Sequence, residues 1–255
     1  MGLNSAGIGL SVASGLVDLL SFSFAPQSLL APLAAVTLIV NLMLAPVVHG
    51  EPLSQTDVFA TVCVCLGVAT CLSFSSSSSV VHTLRSLEKL VFRKMVGVYF
   101  SLYVSIMAAL AYRVIDGEGS GHGQLKSVAV GYPVLAGMFG GLTTLLAKLI
   151  TELLGVVSIR SHITLMVFVI TLLGCSAVSQ ITILNKGIGK HSSLFVGPLF
   201  TATFVTSNIF NGGIFFNEFA SFTRTQIMGF SVGVSLIVGG VTVLATKAGG
   251  SKHKT

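Results

Sequence analysis

Asp18 offers the most pointed chemistry in this sequence. It stands inside an apolar run at 5–24, and a charge at the centre of a bilayer costs at least ~2.5 kcal/mol unless it finds a partner or a wet cavity. In a water-lined cavity its carboxylate can hold a hard divalent cation through retained waters, which makes Asp18 the candidate metal ligand. Protonation, or pairing with a packing residue such as Lys148, is the alternative. Gln180 and Asn185 offer neutral oxygens on a single later run, and Asn41, Asn208 and Asn211 are similar but weaker candidates. Gln180 and Asn185 either line a path or hydrogen-bond between helices, while for Asn41, Asn208 and Asn211 the second use is the commoner. Pro32 and Pro198 each sit near the start of an apolar run, where a missing N–H kinks or breaks a helix and frees backbone carbonyls. Asp18, Gln180, Asn185, Pro32, Pro198, Asn41 and Asn208 together form the candidate substrate path. Glu51 and Glu218 lie at the ends of runs, as a cation-attracting mouth or as ordinary solvated turns. Lys148 and Glu152, four apart on one helix, can neutralise each other.

The elements that must position these residues follow from composition. Of 255 residues, 53% are hydrophobic and 9% charged, against about 25% charged in soluble domains. Mean hydropathy is +0.93. Such a chain cannot cover a water-facing surface, so lipid is its solvent. The apolar runs continue for about 20 residues, enough to cross about 30 Å of hydrocarbon as helices, whereas barrel strands alternate over about 10. The expected fold is all-α, a bundle of about eight spans near 5–24, 27–48, 56–75, 95–114, 128–155, 163–184, 192–216 and 225–246. Polar punctuation separates them, including Ala25-Pro26, His49-Gly50-Glu51-Pro52 and Asn185–Lys190. Lys148 and Glu152 suggest that the fifth span leaves the membrane before its end. The loop at 76–94 carries Leu84, Leu87, Leu90 and Val91 at helical spacing with basic residues between them, as an interfacial helix or a solvated linker. Residues 1–247 form one transmembrane domain, and 248–255 a basic tail.

Several function classes drop out. The net charge of +6 resides in loops and the tail without an aromatic-interleaved groove, so nucleic acid is not a partner. The bilayer and the transported species are the expected partners, and a homo-oligomer is compatible with the sequence. Cys63, Cys65, Cys71 and Cys175 all lie in apolar segments at spacings that match no zinc pattern. The N-terminus has no basic n-region and is not read as a signal peptide. No intramembrane Gly-x-Ser-x-Gly, paired-aspartate or His-Glu-x-x-His pattern occurs, so no enzyme and no cofactor is expected. Alternating eight spans places Arg113, Lys126, Lys186, Lys190, Lys247, Lys252 and Lys254 on one side and Arg85, Lys89, Arg93, Lys94, Arg160 and Arg224 on the other. That balance does not orient the chain. Glycines such as Gly137, Gly140, Gly141, Gly229 and Gly233 are expected to permit close helix contact.

The sequence also repeats itself. Ser28-Leu29-Leu30-Ala31-Pro32-Leu33 resembles Ser193-Leu194-Phe195-Val196-Gly197-Pro198-Leu199. Each stretch opens a span that ends in a glutamate turn, at Glu51 and at Glu218. Each is followed by a glycine-bearing span, with Gly67 in the first and Gly229, Gly233 and Gly240 in the second. The copies stand five spans apart, an odd offset, so they insert in opposite orientations. Inverted repeats of this kind are the architecture of alternating-access transporters. The halves run roughly 1–115 and 127–247.

At these residues the sequence resembles the NIPA-type magnesium transporter family, a branch of the drug/metabolite transporter superfamily. The resemblance rests on Phe24-Ala25-Pro26 leading to Ala31-Pro32-Leu33-Ala34-Ala35-Val36, and on Gly50-Glu51. Further on it rests on Ser179-Gln180-Ile181-Thr182-Ile183-Leu184-Asn185-Lys186, on Val196-Gly197-Pro198-Leu199-Phe200 with Phe204, on Glu218, Gly229, Gly233 and Gly240, and on Lys148. It covers most of 10–247 in order. It implies inverted halves and Mg²⁺ as the transported substrate rather than a cofactor, moved by alternating access or by facilitated flux down the membrane potential. A plasma or endosomal membrane is the implied compartment. The chain departs from the family pattern at Gly15 and Asp18, where the family has Glu-x-x-Asn, at Thr182-Ile183, and at Gln226. Against the family's about nine spans it starts one helix late. Transport of small organic metabolites and a non-transporting membrane scaffold remain alternatives.

Overall fold

A computed structural model describes residues 54–74, 89–90, 92–119, 126–156, 163–191, 193–217 and 222–248. Among them there are helices and no strands. Six long helices are α1 (Gln55–Ser73), α2 (Lys94–Gly119), α3 (Lys126–Val156), α4 (Ile163–Lys190), α5 (Ser193–Phe215) and α6 (Arg224–Ala248). Among the described residues, four helices are long and apolar enough to cross a bilayer: Gln55–Ser73, Lys94–Gly117, Ser127–Leu154 and Ile163–Lys190. The third of these helices includes Lys148 and Glu152 near its end. The two spans expected before residue 54 lie outside the described residues, as does most of the loop at 76–94. Lys89 and Leu90 are helical there, and Leu90 packs on a core cluster drawn from α2, α3, α4 and α5.

Local chemistry sets the helix ends. Ser54 caps α1: its hydroxyl accepts from the Thr56 N–H at 3.3 Å, while the Asp57 carboxylate accepts from the Ser54 N–H at 3.2 Å. Each bond satisfies a backbone donor that the helix leaves open. Thr223 and Gln226 do the same for α6, with the Gln226 side-chain oxygen accepting from the Thr223 N–H at 2.8 Å. Two residues past the end of α5, Asn217 takes a left-handed φ of 59°, a conformation asparagine tolerates better than most residues. The Arg93 guanidinium at the start of α2 donates to the Asn217 side-chain oxygen. The segment Asn185–Lys190, read from the sequence as a loop, is instead the last turns of α4. It stays helical because α3 holds it: Gly187 rests against Tyr132, and the Lys190 ammonium donates to the Tyr132 hydroxyl at 3.1 Å.

α3 and α5 form the centre of the bundle and run parallel. Gly137 meets Phe200, Thr203 and Phe204, and Gly141 meets Ser207. A β-carbon at Gly137 would stand 2.9 Å from the Phe200 carbonyl oxygen. α2 and α4 lie antiparallel to α3, on the evidence of Gly131 against Val114 and of Gly140 against Gln180. α1 runs parallel to α5, joined by Val64, Val68, Ala202, Val205 and Ile209. α6 packs antiparallel on α1 through glycine: a β-carbon at Gly67 would lie 2.7 Å from the Gly233 carbonyl oxygen, and one at Gly233 would lie 2.7 Å from that of Gly67. The expectation that glycines license close helix approach holds at each of these crossings. In lipid, packing of this kind replaces the hydrophobic drive that joins helices in water.

Candidate functional site

A polar seam runs through the central helices. At Asn211 of α5, fully buried, the side-chain oxygen accepts from the Tyr99 hydroxyl of α2 at 2.8 Å. One turn along α2, the buried Tyr103 donates to the Met138 carbonyl of α3 at 2.7 Å and adjoins Ser207 and Asn211. Gly141 of α3 makes room for this group, since a β-carbon there would collide with Ser207 and stand 3.2 Å from Asn211 Nδ2. That nitrogen is buried, with the Tyr103 hydroxyl set against it. A buried amide donor normally finds such a partner.

On the other face of α3, Ser176 of α4 donates to the Phe139 carbonyl at 2.9 Å, and Thr143 lies 3.0 Å from the Ser176 hydroxyl. Gln180 is half-buried one turn along α4, with its Nε2 3.1 Å from where a Gly140 β-carbon would sit. Towards the end of α5, the Lys148 ammonium lies 4.1 Å from the Phe216 ring centroid, and Lys148 itself is only 6% exposed. An aromatic face stabilises a desolvated cation by about 2 kcal/mol. The seam therefore presents hydroxyls, amides and one cation carried on a ring.

The expected path residues fall in different places. Asn208 is buried in α5, one helical position from Ser207. Gln180 borders the seam, whereas Asn185 is exposed on α4. Pro198 lies within α5, which continues through it unbroken. Asp18, Pro32, Asn41, Glu51 and Glu218 lie outside the described residues. Among the described residues, no three His, Cys, Asp or Glu side chains gather to hold a metal ion. None of the four cysteines forms a disulfide among the described residues; Cys71 is buried and Cys175 exposed. Tyr99 and Tyr103 were passed over in the sequence. Their signal is two phenols four residues apart in an otherwise apolar helix, where each hydroxyl needs a partner on a neighbour.

Long apolar helices, packed on an apolar core that a polar seam crosses, define an integral, multi-pass membrane protein. The chain belongs to the NIPA magnesium transporter family, whose profile, described as "Magnesium transporter NIPA", matches residues 3–249. Over 250 residues it is 26% identical to a probable magnesium transporter NIPA8 of Arabidopsis thaliana, covering 94% of this chain and 57% of that protein. Probable magnesium transporters NIPA1 and NIPA2 of the same plant are 20% and 21% identical over 243 residues, covering 94% of this chain and 70% of each. This chain thus spans little more than half the length of the first relative. No solved structure matches it.

Proposed function

We propose that this protein moves a divalent cation, Mg²⁺, across its membrane by alternating access or facilitated flux driven by the membrane potential. The observation that carries the reading is a family match along nearly the whole chain. The ion is the substrate, and the reading calls for no cofactor. Asp18 supplies the carboxylate that attracts the hydrated ion, Gln180 and Asn208 supply neutral oxygens, and Asn41 and Asn185 extend the path. Pro32 and Pro198 mark equivalent positions in the two halves, and Glu51 and Glu218 gather cations at its mouths. A plasma or endosomal membrane is the proposed compartment.

The packing of α1 on α6 supports inverted halves 1–115 and 127–247. Pro32 and Pro198 differ by 166 positions, and so do Gly67 and Gly233. Under that offset Cys71 corresponds to Ile237, and both cross-contacts occur: Gly67 meets Ile237, and Gly233 meets Cys71. Two equivalent helices that cross antiparallel at equivalent glycines are what a two-fold axis in the membrane plane produces. Rocking one half against the other about that axis would expose the path to each side in turn.

Flux into proteoliposomes, followed with a magnesium-sensitive dye under an inside-negative potential, tests the proposal. Wild-type protein is expected to carry Mg²⁺, and Asp18→Asn to carry it at least about tenfold more slowly, since charge-assisted contacts contribute about 1.5–3 kcal/mol. Absence of flux in the wild type, or indifference to Asp18→Asn, defeats the reading in this form.

A further inference from the structure

We infer that the face of α6 carrying Ile227, Phe230 and Val234 is the docking surface of the chain's own segment 27–48. The inference rests on the inverted-halves reading above, whichever ion is carried, and names the partner of a surface left open among the described residues. Its first support is an inequality of burial between equivalent positions. At the offset of 166, Thr61, Val64 and Val68 of α1 correspond to Ile227, Phe230 and Val234 of α6. The three on α1 are at most 2% exposed, whereas Ile227 is 52% exposed and the other two are half-buried. α5 makes the difference. Val64 and Val68 of α1 pack with Ala202, Val205 and Ile209 of α5, while α6 meets the edge of the same helix through Phe210, its ring centroid 6.4 Å from that of Phe230. Exposure of an apolar residue to lipid is ordinary in itself. Here one copy of a repeated surface carries a helix and the other copy does not.

The second support identifies the occupant. An axis that exchanges two antiparallel helices stands perpendicular to both, so the image of α5 stays on the same side of the pair and moves from α1 to α6. In sequence that image begins at 27, which stands 166 positions before Ser193. The positions equivalent to Ala202, Val205 and Ile209 are Val36, Ile39 and Met43, all apolar. The polar residues inside the segment fall on another side. Thr37 and Asn41 stand at the positions of Thr203 and Ser207, which in α5 meet Gly137 and Gly141 of α3. The connections agree as well. Six residues separate 48 from Gln55, and eight separate Phe215 from Arg224, both within the lengths that join antiparallel neighbours in helical bundles. In lipid such a surface is held by close packing, which needs a partner of matching shape and not merely an apolar one.

Photo-cross-linking of the full chain in lipid nanodiscs tests the inference, with p-benzoylphenylalanine as the probe because its excited ketone inserts into C–H bonds in contact with it. In Ile227→p-benzoylphenylalanine, peptide mapping should find an intramolecular cross-link to 27–48. The same probe at Met228, one position round the helix and 70% exposed, should capture lipid alone. Capture at 227 of lipid alone, of a second copy of the chain, or of any other segment overturns the inference. A probe at Leu44, the counterpart of Phe210, separates this failure from that of the reading beneath it, since the image of the Phe210–Phe230 contact is Leu44 on Val64. A cross-link from 44 to α1 with only lipid at 227 leaves the halves inverted and removes the docking surface. No cross-link from 44 to α1 removes the inverted halves themselves. Neither result depends on Mg²⁺ flux, so a chain that carries no ion still answers the question. Should the probe at 227 prevent folding, melting temperatures in nanodiscs decide. Ile227→Ala should lower the melting temperature by about 5 °C, as truncation in a packed site does, and Met228→Ala should move it by no more than about 1 °C. Equal small shifts in the two overturn the inference.

Discussion

Lys148 is the residue whose environment departs furthest from its chemistry. Its ammonium is nearly enclosed and faces the Phe216 ring at 4.1 Å. A desolvated cation–π contact contributes about 2 kcal/mol, and the double-mutant cycle isolates it. Phe216→Leu alone is expected to destabilise the protein by about 1–2 kcal/mol. Lys148→Met in the same background should recover most of that loss, since replacing a buried charge by an apolar side chain of similar size is often neutral or better. Unfolding in mixed micelles measures all four corners, and a coupling near zero would remove the ring as the lysine's support. Part of this was legible beforehand. A lysine inside an apolar run must find a partner, and Glu152 four residues along was the natural candidate in the sequence. Phe216 is 68 positions away by number, 216 less 148, and reaches Lys148 because α3 and α5 run parallel. Sequence spacing within one helix does not contain that information.

At the scale of the helices, length and type were readable and facing was not. The spans expected at 56–75, 95–114, 128–155, 163–184, 192–216 and 225–246 correspond to α1–α6 within a few residues at most ends. The larger differences are at the C-termini of α2 and α4, which run on to Gly119 and Lys190. Continuous apolar runs of this length have no shorter alternative in lipid. Which side of each helix meets a neighbour leaves a weaker trace, because lipid tails are as apolar as leucine and no polar stripe marks the outside. Glycine is the exception, and it discriminates only with geometry in hand. Gly67 meets the Gly233 backbone at a distance that admits no β-carbon, whereas Gly174 on α4 has nothing within 4 Å of that position. Gly67→Ala should therefore destabilise α1 against α6 by about 1–3 kcal/mol, the usual cost of overpacking. Gly174→Ala should be neutral or slightly stabilising through helix propensity. Melting temperatures in nanodiscs compare the two. Equal responses would mean that the α1–α6 crossing is not close-packed.

For the molecule as a whole, the neutrality of the groups around Asn211 bears on what would drive the proposed transport. Around Asn211 the polar groups are phenols, a hydroxyl and amides. None of these exchanges protons readily near neutral pH in its ordinary state. On the proposed transport reading, a divalent cation that crosses without a counter-ion carries two charges, and the membrane potential acts on both. Each elementary charge gains ~2.3 kcal/mol per 100 mV, so a divalent cation gains ~4.6 kcal/mol, roughly three orders of magnitude in accumulation at 1.4 kcal/mol per decade. Proteoliposomes given an inside-negative potassium diffusion potential with valinomycin should accumulate Mg²⁺ well above the external level and lose it when the potential is collapsed. An electroneutral exchange of Mg²⁺ for two protons would ignore valinomycin and respond to a pH gradient instead. That outcome would require a titratable carrier in the path, and Asp18, the acid placed deepest by the sequence, would be the first residue to replace in finding it.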